Sequence, residues 1–230
     1  MKTSNKLLII LFAFSLLALI GSDLTLKAKF DKIDKNDPYF GYSHEMLKPF
    51  KYVKLTGNQI RIVQIQPGKS YELMKADMRN YSNNPEIKWK MSGDTLVIIH
   101  KADGRKQPFY PERFYEAPAL YITAPALSGV VSQGVTSNVK NWSSPDFFIK
   151  QTGNGIQLVN NRFDNLKIDV SSGGYVQLAE KNNLGLTDVH CTDSSELVVN
   201  KDIFKSFKMQ ADSNARISLP GSLIKKIANL

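Results

Sequence analysis

The sequence contains a single cysteine, Cys191, among 230 residues. One cysteine excludes an intrachain disulfide and any metal site built from several cysteines. The cysteine count therefore does not show whether the protein works in an oxidising compartment.

Histidine is also scarce, and the sequence lacks the usual signatures of catalysis. The three histidines, His44, His100 and His190, are far apart and show no metal-ligand spacing. There is no nucleophile elbow, P-loop, dinucleotide fingerprint or calcium-binding glycine repeat. We therefore expect no metal, no cofactor and no enzymatic activity.

Runs of like charge are absent as well, although the formal net charge is +9. Lysine and arginine are spread along the whole chain, and no five consecutive residues carry the same charge. This distribution favours a solvated basic surface over a dedicated patch for a polyanion.

The N-terminus carries the order of a secretory signal. Lys2 and Lys6 precede an uncharged apolar run, LLIILFAFSLLALIG, which ends at Gly21. Residues 1–26 are predicted to form either a signal peptide or an uncleaved membrane anchor. The best candidate cleavage site, Ile20-Gly21-Ser22, matches the small-residue requirement only in part, which favours the anchor. Ser22 stands where a lipidated cysteine would be needed, which excludes a lipid anchor. Charge alone does not orient the segment, because lysines also follow it.

Alternating apolar patterns dominate the rest of the chain. Residues 27–47 are predicted to be a tether, and residues 48–125 an N-terminal β region that includes the hairpin EIKWKMSGDTLVIIH. Past residue 30, no segment shows a sustained helical period. The predicted class is therefore all-β.

Residues 126–230 repeat at a period of about 20. Ile156, Val176, Leu197 and Ile217 are separated by 20, 21 and 20 residues, and a turn cluster of Gly, Asn, Asp or Ser precedes each. One repeat cannot bury its apolar face alone, so repeats must stack. The pattern predicts a right-handed β-solenoid-like stack of short strands with coils of about 20 residues, and residues 48–230 could form one continuous domain.

The same register places Cys191 in a column with Val170 and Ala211. We therefore interpret Cys191 as an inert thiol in the core. Neighbouring side chains on a strand point to opposite faces, so His190 should point to solvent.

The order of these motifs resembles a known family. PFKYVKLTGNQIRIVQI, SGDTLVIIH, ALYITAPAL and the Gly/Ser/Asn turns are similar to the auto-transporter adhesin family with the head GIN domain. The resemblance covers roughly residues 48–219 and implies an all-β, solenoid-like fold in an exported envelope protein. It implies no catalytic residues. The last two turns, TDSSE and ADSNA, depart from the family pattern because they lack glycine.

One stretch combines cations with aromatic rings, a pairing that stacks on sugars or holds anionic polymers. The candidate binding residues in this stretch are Arg105, Lys106, Phe109, Tyr110, Arg113, Phe114 and Tyr115. The alternative is a connector whose aromatic rings plug one end of the fold or the seam between the two β regions.

We predict an exported, membrane-anchored, non-enzymatic binding or adhesion protein, with its folded domain in the periplasm or at the cell surface. The expected partner is a glycan, an envelope polymer or a protein, with the membrane contacted through the N-terminal segment; nucleic acid is not expected. The alternatives are a purely structural envelope protein and a carbohydrate-active enzyme that uses Asp193, Glu196 and Asp212. Asp193 and Asp212 are better explained as turn formers.

Overall fold

The computed structural model describes residues 3–34, 37–58, 61–76, 86–101 and 109–228. The chain divides into two compact units, Met1–Gly41 and Tyr42–Leu230. The first unit contains one long helix, α1, Thr3–Phe30, whose side chains are all exposed. The interval predicted as a tether holds the last turn of α1 and, in the second unit, a strand.

The second unit consists of seventeen strands, a short 3₁₀ helix and one C-terminal α-helix among the described residues. The strands are β1 (Tyr42–Met46), β2 (Tyr52–Gly57), β3 (Val63–Pro67), β4 (Glu72–Ala76), β5 (Glu86–Ser92), β6 (Thr95–Lys101), β7 (Leu120–Ala124), β8 (Gly129–Gln133), β9 (Ser137–Lys140), β10 (Ser143–Thr152), β11 (Gly155–Val159), β12 (Arg162–Ser171), β13 (Tyr175–Leu178), β14 (Asn183–Cys191), β15 (Glu196–Val199), β16 (Phe204–Ala211) and β17 (Arg216–Ser218). The helices are the 3₁₀ helix Pro111–Tyr115 and α2, Gly221–Ala228. The sequence pattern did not predict α2.

The strands form two sheets. The nine-stranded sheet has the order β1-β4-β7-β3-β9-β11-β13-β15-β17, and the eight-stranded sheet has the order β16-β14-β12-β10-β8-β2-β6-β5. Most neighbours are parallel; β1 with β4, β4 with β7, and β5 with β6 are antiparallel. The apolar side chains of both sheets form one buried cluster, so the architecture is a two-sheet β sandwich.

The prediction of a right-handed β-solenoid-like stack is therefore wrong. Each repeat contributes one strand to each sheet and no third side, so the chain builds two facing sheets. The N-terminal strands also break any continuous coil, because β2 lies between β8 and β6, and β3 lies between β7 and β9. Antiparallel strands end each sheet on one side: β1 beside β4 in the nine-stranded sheet, and β5 in the eight-stranded sheet.

The apolar columns behind that prediction are confirmed at the level of strand register. Ile156 is opposite Val176, Val176 is opposite Leu197, and Leu197 is opposite Ile217. The first three are fully buried. The period of about 20 residues therefore sets the register of parallel strands within one sheet. The predicted hairpin is also confirmed, because β5 and β6 pair antiparallel over residues 86–101.

Buried asparagines hold the corner between the two sheets. Asn161 Oδ1 accepts a hydrogen bond from the Trp142 backbone N–H (2.9 Å), and Asn161 Nδ2 donates to the Val139 carbonyl (2.9 Å). One repeat later, Asn182 Oδ1 accepts from the Asn161 N–H (2.8 Å), and its Nδ2 donates to the Leu158 carbonyl (2.8 Å). These bonds give the buried N–H groups of Trp142 and Asn161 an acceptor at the chain reversal.

Candidate functional site

The outer face of the eight-stranded sheet carries a groove of about 600 Å³. It crosses β10, β12, β14 and β16 and extends to Tyr52 on β2. We call it the sheet groove, and its lining residues are Tyr52, Ser128, Asp146, Phe147, Phe148, Asn165, Leu166, Lys167, Leu186, Thr187, Asp188, Ser206 and Lys208.

The groove follows a shared irregularity in neighbouring strands. Pro145 and Asp146 on β10 are both exposed, and so are Asp164 and Asn165 on β12, which interrupts the alternation of buried and exposed positions. Asp146 is directly opposite Asn165, so the interruption lies at one register position. On β14 the corresponding place is Gly185, where any Cβ would overlap the Asp164 carbonyl. The outer face of the sheet therefore has a shallow depression along a line that crosses the strands.

Three apolar side chains lie open in the groove. Leu186 is 61% exposed and Tyr52 is 38% exposed, while Phe148 is half-buried. Two aromatic rings and an exposed leucine on one concave surface are unusual outside binding sites. They provide flat apolar surfaces on which a ligand can stack.

Polar groups surround these apolar side chains. Asn165 Nδ2 donates a hydrogen bond to Asp146 Oδ1 (2.9 Å). In the next row, Lys167 is opposite Asp188, and Asp188 is opposite Lys208. All five side chains are exposed, so the groove offers donors and acceptors with little net charge.

The structure separates the binding residues that the sequence predicted. Arg105 and Lys106 lie outside the described residues. Phe109 and Phe114 pack together, with ring centroids 5.3 Å apart, and both contact the ring of Tyr175. The Phe114 carbonyl accepts a hydrogen bond from Asn138 Nδ2 (3.0 Å), which fixes the segment on the outer face of the nine-stranded sheet.

The other members of the stretch face solvent to different degrees. Tyr110 is 54% exposed, Tyr115 is 79% exposed, and Arg113 is half-buried. A binding role for the stretch stays a prediction, and Tyr110 and Tyr115 are its accessible aromatic rings. The sequence reasoning missed the sheet groove entirely.

Of the three carboxylates considered for catalysis, Asp193 and Asp212 lie at turns and Glu196 is the first residue of β15. Asp212 accepts hydrogen bonds from the backbone N–H of Asp193 (2.7 Å, to Oδ2) and of Asn214 (2.9 Å, to Oδ1). The hydrogen bond from Asp193 is the main cause of a lowered pKa at Asp212. Glu196 lies opposite Tyr175. Burial is the main cause that raises the pKa of Tyr175 to about 12, and the charge of Glu196 adds to it. The geometry supports turn formation for Asp212.

Cys191 is fully buried, and burial raises the pKa of its thiol to about 11. It is opposite Val170 and Ala211, which confirms the interpretation as a core thiol. The neighbouring His190 is partly exposed, with Nδ1 3.4 Å from Asp169 Oδ1, so it faces outward as predicted. Within the described ranges, no three His, Cys, Asp or Glu side chains are grouped to hold a metal ion.

Helix α1 is long and apolar enough to cross a membrane, with a mean hydropathy of 2.4 over its most apolar window. A signal sequence passes the same test. The helix is therefore a signal or an anchor.

No family model matches the chain, and no curated protein matches it. Among solved structures, a "putative adhesin" from Bacteroides fragilis is 13% identical with a TM-score of 0.47, covering 77% of this chain and 95% of that chain. A "putative adhesin" from Parabacteroides merdae is 10% identical with a TM-score of 0.33, covering 77% and 94%. A "putative lipid binding protein" from Parabacteroides distasonis is 10% identical with a TM-score of 0.32, covering 78% and 94%.

Sequence identities and TM-scores this low assign neither a family nor a function. The resemblance to the auto-transporter adhesin family is matched only by the word adhesin in two of these names. Neither the head GIN domain nor an auto-transporter is supported.

Proposed function

We propose that this protein is an exported, membrane-tethered, non-enzymatic binding module whose sheet groove holds a glycan. The observation that carries the proposal is the pairing of Tyr52 and Phe148 with exposed amide and carboxylate groups in one groove. Helix α1 supplies the signal or tether, and the sandwich presents the groove.

Sugars suit this chemistry. The faces of a sugar ring are apolar and stack on aromatic rings, while its hydroxyl groups both donate and accept hydrogen bonds. Asp146 and Asn165 provide acceptors and a donor beside Phe148, and Lys167 provides a further donor. The groove is open at the surface, so it can accept an internal segment of a polymer.

The groove carboxylates favour binding over hydrolysis. Hydrolysis of a glycosidic bond needs two carboxyl groups held in contrasting environments, one of them protonated. Here Asp146 and Asp188 are both exposed: Asp146 accepts a hydrogen bond from Asn165, and Asp188 has Lys167 and Lys208 as its cross-strand neighbours. Both carboxylates are exposed, so the groove lacks the contrast between a buried and an exposed carboxyl group.

The test measures binding of the full chain in detergent micelles to immobilised neutral and acidic polysaccharides. The variant Tyr52→Ala/Phe148→Ala removes both groove rings, and we expect it to weaken binding by about tenfold or more. The matched control is Tyr110→Ala/Tyr115→Ala, which removes two exposed rings of the stretch singled out in the sequence. Circular dichroism checks that each variant is folded.

Loss of binding in the groove variant alone supports the proposal. Loss in the Tyr110/Tyr115 variant alone would move the site to that stretch and overturn the groove. If the intact protein binds no polysaccharide, the glycan-binding function is wrong.

A further inference from the structure

Three lysines lie in a straight row across the eight-stranded sheet. Lys90 on β5 is opposite Val97 on β6, and Val97 is opposite Lys54 on β2. Lys54 is opposite Val131 on β8, and Val131 is opposite Lys150 on β10. All three lysines are exposed, because the residues before and after Lys54 and Lys150 point into the core.

The lysines are evenly spaced. Adjacent strands lie about 4.8 Å apart, so Lys54 is about 10 Å from each of the other two at the backbone. Val97 and Val131 fill the positions between them and are half-buried. The surface is therefore a shallow apolar floor with a positive charge at every second strand; we call it the lysine row.

The charge of the row is not balanced from within. Among its five described positions, Lys90 to Lys150, there is no carboxylate. The next residue along the same line, Asp169 on β12, is opposite Lys150 and offsets part of the charge at that end, while Lys54 and Lys90 have no carboxylate in the row beside them. The row is therefore a local concentration of the positive charge that the chain carries overall.

The lysine row is continuous with the sheet groove. Tyr52 lies two residues before Lys54, and Phe148 lies two residues before Lys150, so each aromatic ring shares an outer face with a lysine of the row. A polymer that stacks on Tyr52 and Phe148 would run across the strands and pass beside the lysines.

We propose that the glycan is an acidic polymer bearing one carboxylate or sulfate about every 10 Å, that is, on every second sugar of an extended chain. This inference rests on the proposed glycan-binding function and specifies its ligand. A nucleic acid fits less well, since each strand carries a charge about every 3.4 Å and would outnumber the lysines. The stacking rings select sugar, and the lysine row selects charge and its spacing.

The experiment compares four probes on the full chain in detergent micelles: hyaluronan, with a carboxylate on every second sugar; polygalacturonate, with one on every sugar; uncharged dextran; and duplex DNA. The variant is Lys54→Gln/Lys90→Gln/Lys150→Gln. The control, Lys181→Gln/Lys201→Gln/Lys225→Gln, makes the same change in net charge at exposed positions outside the row.

We expect hyaluronan to bind most tightly and to lose about tenfold in affinity in the row variant but not in the control. Its binding should also weaken with added salt, because exposed charges are screened. Equal affinity for hyaluronan and dextran, or no effect of the row variant, overturns the inference while leaving glycan binding intact. Equal or tighter binding of DNA or polygalacturonate also overturns it. Binding of none of the three polysaccharides means that the glycan-binding function itself has failed.

Discussion

The ring of Phe109 lies directly over Gly155, so close that a Cβ at this glycine would overlap the ring tip and meet Phe114 Cζ at 2.8 Å. Gly155 begins β11, one strand inward from Tyr175 on β13. The missing side chain therefore makes the space in which the Phe109–Phe114 segment docks on the nine-stranded sheet. This contact explains how Phe109 and Phe114, two of the predicted binding aromatics, pack on the sheet.

Gly155→Val should release that segment without unfolding the sandwich. Gly155 is not among the residues with positive φ, so valine is compatible with its backbone and with a strand. We expect faster amide hydrogen exchange over residues 109–115, measured by mass spectrometry, and little change in the apolar core. Gly221→Ala is the control, because nothing lies within 4 Å of a Cβ there. Unchanged exchange at 109–115 would show that the aromatics do not depend on this space.

Asn161 makes a second test, because its side chain bonds two buried backbone groups of the preceding repeat. Asn161→Ala leaves the Trp142 N–H and the Val139 carbonyl without their partner in a buried corner. Each unpaired buried group costs about 1–3 kcal/mol, so we expect the free energy of unfolding to fall by about 2–4 kcal/mol. Chemical denaturation followed by circular dichroism measures the change.

Asn183→Ala is the matched control for Asn161, since Asn183 is exposed on β14. It should change the free energy of unfolding by less than about 0.5 kcal/mol. Equal losses in the two variants would contradict a specific role of the buried corner.

The sequence predicted those parts of the fold that depend on local pattern. The steps between Ile156, Val176 and Leu197 predicted their pairing, and the Ser92-Gly93-Asp94 turn predicted the hairpin. The order of strands was not predictable in this way. Inserting β2 between β8 and β6 is decided by long-range packing, which leaves no mark in a window of a few residues.

The site was missed for a related reason. Its residues become neighbours only through cross-strand register, so Lys54 and Lys150 are 96 positions apart in sequence (150 − 54) yet flank the same strand. A partial signal existed, because Lys167, Asp188 and Lys208 are separated by 21 and 20 residues, the same period as the core. Polar residues that recur with the same period as the core residues indicate side chains that lie next to one another on the outer face of a sheet.

His100 provides a test by pH. It is fully buried on β6, and neither ring nitrogen has a hydrogen-bond partner among the described residues. Burial lowers its pKa from 6.5 to about 4. The folded protein therefore holds a neutral imidazole that the unfolded chain protonates more readily. Its contribution to stability is complete above pH 6.5 and is lost as the pH falls toward 4.

We expect the protein to lose roughly 2–3 kcal/mol of unfolding free energy through this residue between neutral pH and about pH 4.5. Leucine has a similar volume to histidine and no titrating group. Over the same pH interval, the unfolding free energy of His100→Leu should therefore fall by less than that of the wild type, and the difference should equal the loss through His100. At neutral pH the variant should be at least as stable as the wild type, because no hydrogen bond is removed. Denaturation curves of both proteins across this interval measure the difference. Parallel pH profiles would show that His100 does not remain neutral and buried in the folded protein.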